Sequence, residues 1–185
     1  MPELPESVFV HALATQMGDV QIGEYASFWP GSSVRGDFSP IRIGIGTSIQ
    51  DCCVLHSTPS DGIQIGNFVT VGHGAVLHGC TIEDNCVIGI NATVLDKSTI
   101  GQGSIVAAGA VVKEGTQVPP GSFVAGLPAE IKPGRPGQED WIKSGALAYI
   151  ALAQNYLDGR QCMDPETLTR KIGEIEERLG LRCDL

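Results

Sequence analysis

Residues 82–124 read IEDNCVIGINATVLDKSTIGQGSIVAAGAVVKEGTQVPPGSFV, and an aliphatic side chain returns at every sixth position: Ile82, Ile88, Val94, Ile100, Val106, Val112, Val118 and Val124. Composition alone would interrupt such a series within a step or two. The same frame extends upstream in blocks of three: Ile22, Phe28 and Val34, then Ile43, Ile49 and Leu55, then Ile65, Val71 and Leu77. Each block reads as one coil of a stacked β structure. Short strands joined by tight corners make a three-sided prism, with the aliphatic residue pointing inward onto its counterpart about 4.8 Å along the axis. Gly, Asn and Asp suit the corners because they tolerate positive φ. The steps from Val34 to Ile43 and from Leu55 to Ile65 exceed six, so extra residues are expected to leave the prism there as loops. A valine-rich β-sandwich is the competing architecture, but it would show period two within strands and irregular spacing between them.

Composition agrees with a coiled β scaffold and narrows the partners. Hydrophobic residues make up 42% of the 185 but aromatics only 5%, with 24 glycines, so the core has to be built from small and β-branched side chains. The length suits a single main domain. A formal charge of −9 opposes phosphate backbones and anionic membrane surfaces, which argues against nucleic acid and membrane partners. Met1 to Val10 has no basic region followed by an apolar run, and no stretch approaches the roughly 20 apolar residues that span a bilayer. A cytoplasmic location is the expectation. The six cysteines (Cys52, Cys53, Cys80, Cys86, Cys162 and Cys183) form no CxxC pair and are read as mostly reduced.

The prism is expected over residues 1–131, followed over 132–185 by a linker and helices. Lys132 to Gly137 is Pro- and Gly-rich and reads as continuing neither strand nor helix. Ile142, Ala146, Tyr149, Ile150, Ala153 and Leu157 then form one helical stripe suited to packing along the prism. Asp164-Pro165-Glu166 is a helix start, with Leu168, Ile172, Ile175 and Leu179 on one face before Gly180.

Four histidines occur, three of them inside the repeat. His56 follows Leu55 and His78 follows Leu77, so the two take the same position in adjacent coils and should stack on one face. His73 comes two residues after Val71, on the preceding face, and a rigid prism cannot easily bring it round to the others. Three prisms about a three-fold axis would let one subunit's preceding face meet its neighbour's His56/His78 face. Three neutral imidazoles with one open position is the ligand set of catalytic zinc. His11 stands apart.

Arg35-Gly36-Asp37, Gln50-Asp51, His56, and His73 with His78 in VGHGAVLHG resemble, in order and type, the pattern of the gamma-class carbonic anhydrases, over roughly Gly18 to Ala129. That family's scaffold is the left-handed parallel β-helix of hexapeptide-repeat proteins, and only the resemblance supplies the handedness. It implies a homotrimeric lyase that reversibly hydrates carbon dioxide to bicarbonate, with His56 and His78 of one subunit and His73 of the next holding the metal. Zinc is the cofactor implied, and iron(II) and cobalt(II) accept the same ligands. It also implies that Arg35 and Asp37 pair across the subunit interface, and that Gln50 and Asp51 lie beside the reacting water. Tyr149 falls near a polar position at the family's active-site mouth and reads equally well as a helix-packing tyrosine. Two departures bear on proton export: Phe38 stands where some members carry a glutamate, and the acidic loop after the first ligand is shortened to Ser57–Asp61. Competing functions on this scaffold are an acyltransferase or thioesterase, and a catalytically weak metal-binding assembly subunit. Cys52 and Cys53, just before His56, are expected to face opposite sides, one core and one exposed, and motivate a redox-control reading that equal rates with and without reductant would remove.

Overall fold

The computed structural model describes residues 4–181. Its short strands pair almost entirely in parallel, each with the strand one coil away, and build a left-handed parallel β-helix of about six turns. Three ladders line the three faces. On the first, Val10, Phe28, Ile49, Val71, Ile88, Val106 and Val124 are in register. On the second, Val34, Leu55, Leu77, Val94 and Val112 stack. On the third, Ile22, Ile43, Ile65, Ile82, Ile100 and Val118 stack. Nearly all of these side chains are buried in one continuous core, so the six-residue period maps onto the faces as the spacing requires.

Two residues before most inward aliphatics sits a small side chain, as in Ala26, Cys53, Ala75, Cys86, Ala92 and Ala110, all buried inside a corner, whereas Ile41, Ile63 and Val69 fill the same place before Ile43, Ile65 and Val71. Corners are closed by backbone hydrogen bonds to the next coil, such as Phe68 N–H to Ile45 O (2.8 Å) and Cys52 N–H to Pro30 O (3.0 Å). This ladder lets non-glycine residues hold positive φ, so Tyr25, Cys52, Phe68 and Lys97 take corner positions besides Asn85 and Asn91.

The insertion after Val34 is not a loop. Ser33–Ile43 is one continuous strand that turns a prism edge, paired to Thr15–Ile22, and the register jumps from Gly18↔Gly36 to Val20↔Ile41. The extra residues therefore bulge outward as Asp37, Phe38, Ser39 and Pro40 without breaking the strand. The insertion after Leu55 does form a loop, over 57–62.

Past the last coil, Ser122–Gly126 and Ala129–Pro133 form an antiparallel hairpin. The strand thus runs into the segment expected to be linker as far as Pro133, which is tolerated because it is the strand's last residue on a sheet edge. Helix α1 (Gln138–Leu157) follows and lies along the first face. That face presents Ser27, Ser48 and Thr70 outward, side chains short enough for a helix to sit on. Gly46, at φ +64°, would place a Cβ 2.7 Å from Ile150 Cδ1, so close approach of α1 excludes a side chain there. Helix α2 (Pro165–Arg178) starts as the motif predicts, with Asp164 Oδ1 accepting from Thr167 N–H at 2.8 Å. Leu168, Ile172, Ile175 and Leu179 pack on Leu147, Ile150 and Ala151 of α1. Among the described residues, no helix is long and apolar enough to cross a membrane.

Candidate metal centre

His56 and His78 are register partners on the second face. Their rings lie 5.2 Å apart, with His56 Nδ1 and His78 Nε2 separated by 3.2 Å. The outer nitrogen of each ring is held by a carboxylate: His56 Nε2 by Asp37 Oδ1 at 3.1 Å and His78 Nδ1 by Asp96 Oδ1 at 2.5 Å. A carboxylate can only accept, so both outer nitrogens carry the proton. Two lone pairs then face each other across 3.2 Å. That arrangement is repulsive unless a cation or proton lies between them. Two nitrogens bound at about 2.0 Å to one tetrahedral ion are themselves about 3.3 Å apart, so the donor set fits a metal.

His73 stands elsewhere, in the corner turn between the first and second faces rather than on a strand. Its Nδ1 donates to Asp51 Oδ2 at 2.8 Å, which leaves Nε2 as a lone pair on a half-exposed ring. Its backbone N–H donates to Gln50 Oε1 at 3.2 Å. Among the described residues of one chain, no three His, Cys, Asp or Glu side chains come close enough to share an ion. His11 belongs to neither group and accepts from Leu13 N–H.

Gln50 is buried, and α1 brings the Tyr149 side chain beside it. The Tyr149 ring meets Trp29 edge-on at 6.0 Å, the helix-packing contact that its place in the stripe suggested. Burial raises the Tyr149 hydroxyl above its ordinary pKa, the Asp51 charge adds to this, and the Gln50 side chain offsets part of it. Within the single chain Arg35 pairs with Asp37. Desolvation raises the Asp37 carboxyl, but hydrogen bonds from Arg35 and His56 outweigh it, and the group lies below the usual carboxylate value. Phe38, exposed on the bulge, lays its ring 5.7 Å from that of His56. In the shortened loop, hydrogen bonds from Ser60 and then Thr58 hold Asp61 below its ordinary value, so it is committed to the loop's own structure.

Asp96 escaped the sequence reading. Its only signal was position: two residues after Val94, in the coil directly below Leu77-His78. The cysteine pair divides as expected, Cys53 buried and Cys52 exposed, although Cys52 lies in a turn. Burial pushes the Cys53 thiol up to about 12. Cys183 lies outside the described residues.

The coils and the histidine pair define a hexapeptide-repeat β-helix with a candidate metal centre. The family profile described as Bacterial transferase hexapeptide (six repeats) matches residues 79–114. A "Probable carbonic anhydrase" of Methanocaldococcus jannaschii is 53% identical over 144 residues, covering 76% of this chain and 89% of that protein. "Gamma carbonic anhydrase 2, mitochondrial" of Arabidopsis thaliana is 41% identical over 83% of this chain, which spans only 58% of the plant protein. The crystal structure of a hexapeptide transferase family protein from Anaplasma phagocytophilum superposes with a TM-score of 0.78 at 37% identity, covering 81% of this chain and 89% of the other. The chain belongs to the gamma carbonic anhydrase family.

Proposed function

We propose that this chain catalyses the reversible hydration of carbon dioxide to bicarbonate as a homotrimer, with one metal site at each subunit interface. His56 and His78 of one subunit and His73 of the next would hold the ion. What supports this is the carboxylate-backed pair with facing lone pairs, together with a third imidazole, backed in the same way by Asp51, that its own chain cannot deliver to them. Exposed apolar side chains flank both halves. Leu13 and Ile90, 68% and 50% exposed, share the His73 corner, and Met17 and Val54 lie on the His56 face. Apolar surface of this kind marks contact surfaces between chains.

Three imidazoles with one open position suit zinc, and iron(II) or cobalt(II) equally accept imidazole. When bound, such an ion lowers the pKa of a water from about 16 to about 7, which makes hydroxide available at neutral pH. The chain's own residues do the rest. Gln50, whose Oε1 is held by the His73 backbone N–H, offers a hydrogen bond to the reacting oxygen without titrating. Asp51 keeps the His73 proton on Nδ1, and Arg35 keeps Asp37 charged and turned to His56. Phe38 adds an apolar wall beside a substrate that is itself apolar. The five described cysteines are all free thiols, which supports a reducing compartment such as the cytoplasm.

Ligand sharing is tested with mixed trimers. His56→Ala and His73→Ala proteins are each expected to be inactive, and subunit exchange between them is expected to restore hydration at the interfaces that collect a full set. Verified exchange with no recovery would rule sharing out. The exposed Phe38, in a position where a carboxylate would aid proton export, favours a second reading as a metal-binding subunit with little turnover. Full metal occupancy without oxygen-18 exchange from carbon dioxide would establish that reading. Turnover of acyl-CoA in a parallel assay would point to acyl transfer.

A further inference from the structure

Asp96 lies outside every motif that marks the site, yet it makes the shortest contact to any of the three imidazoles, at 2.5 Å from His78 Nδ1. The backbone holds it there. Lys97 N–H donates to Gly79 O and Gly115 N–H donates to Asp96 O, both at 2.8 Å, so the turn carrying Asp96 is tied to the coils above and below. Room for the contact comes from Gly79, at φ +51°, where a Cβ would stand 2.6 Å from Asp96 Oδ1. The residue following His78 is therefore one that cannot carry a side chain without displacing this carboxylate.

We infer that Asp96 is a positioning residue for the metal centre: it keeps the proton of neutral His78 on Nδ1 and so presents the Nε2 lone pair toward His56. This rests on the metal reading above and extends it from the ligands to the group that orders one of them. Without Asp96 the ring is free to rotate and to carry its proton on Nε2, the tautomer that cannot ligate at that nitrogen. Outer carboxylates of this kind typically contribute 10- to 100-fold to metal affinity.

Two measurements test it. Long-range proton–nitrogen NMR of the metal-free trimer at mildly alkaline pH reads the His78 tautomer directly: wild type is expected to be Nδ1–H, and Asp96→Ala a mixture. Zinc affinity, read by competition with a chromophoric chelator, is expected to fall about 10- to 100-fold in Asp96→Ala. Asp96→Asn, which keeps an acceptor oxygen, should retain the tautomer and recover most of the affinity. Glu114→Gln, which alters a neighbouring acid bonded only to Lys97, should match wild type. A wild-type His78 protonated on Nε2, or undiminished affinity in Asp96→Ala, would overturn the role of Asp96 and leave the metal site standing. A wild-type trimer that takes up no zinc would overturn both.

Discussion

The first and second faces of the prism are nearly the same inside and opposite outside. Inward, both stack one aliphatic residue per coil, Ile49 on Val71 and Leu55 on Leu77. Outward, the first face carries Ser27, Ser48 and Thr70 and is buried under the chain's own α1, whereas the second carries Val54 with His56 and His78, and among the described residues no helix packs along it. The repeat thus specifies a scaffold without specifying its surroundings. What each face meets is set by the residues between the inward positions. Small hydroxyls admit a helix, and apolar residues around imidazoles suit contact with another chain.

The largest effect expected from this contrast is on assembly. Ile90→Asp lies on an exposed position of the His73 corner and should leave the fold of a single chain within about 0.5 kcal/mol. It should nevertheless convert the trimer to monomers, with hydration at background, as read by sedimentation alongside the assay. A trimer of unchanged activity would break the comparison at its second face.

Leu77→Ala probes the part the two faces share. A fully buried stack position should lose about 2–5 kcal/mol in urea unfolding. A loss below that range would mean that neighbouring coils collapse into the gap. Ser48→Leu probes only the covered face, where it removes an acceptor from the Trp29 indole N–H (3.0 Å) and intrudes beneath α1. Overpacking of this sort costs about 1–3 kcal/mol, and α1 should become cleavable by proteases while the prism stays intact. Equal protease resistance would show that the small side chains are not what seats the helix.

Tyr149→Phe joins the two faces and should have the smallest effect. It keeps the edge contact with Trp29 and removes only the hydroxyl beside Gln50, so stability should change by less than about 1 kcal/mol. The hydration rate should drop severalfold with metal content unchanged. An unaltered rate would return Tyr149 to packing alone.

The six-residue period made the prism, its three ladders and the phase relation of the histidines legible, because an inward position in a stacked coil accepts little besides an aliphatic side chain. His56 and His78 could be set on one face from counting alone. The capped start of α2 was legible for a similar reason: Asp164 and Pro165 act through local hydrogen bonding and φ restriction. His73 shows where counting stops: its spacing put it on the preceding face, yet it lies in the corner turn between the first and second faces.

Periodicity by itself determined that this protein is a coiled β scaffold with three histidines in two phases, since the constraint repeats every turn and leaves a record in every turn. Only the tertiary structure decided the continuous strand through Ser33–Ile43, the hairpin over 122–133, the seat of α1 against Trp29 and Gln50, and Asp96 behind His78. Each of these rests on contacts made at one place in the fold rather than in every coil, and such contacts leave no period to read.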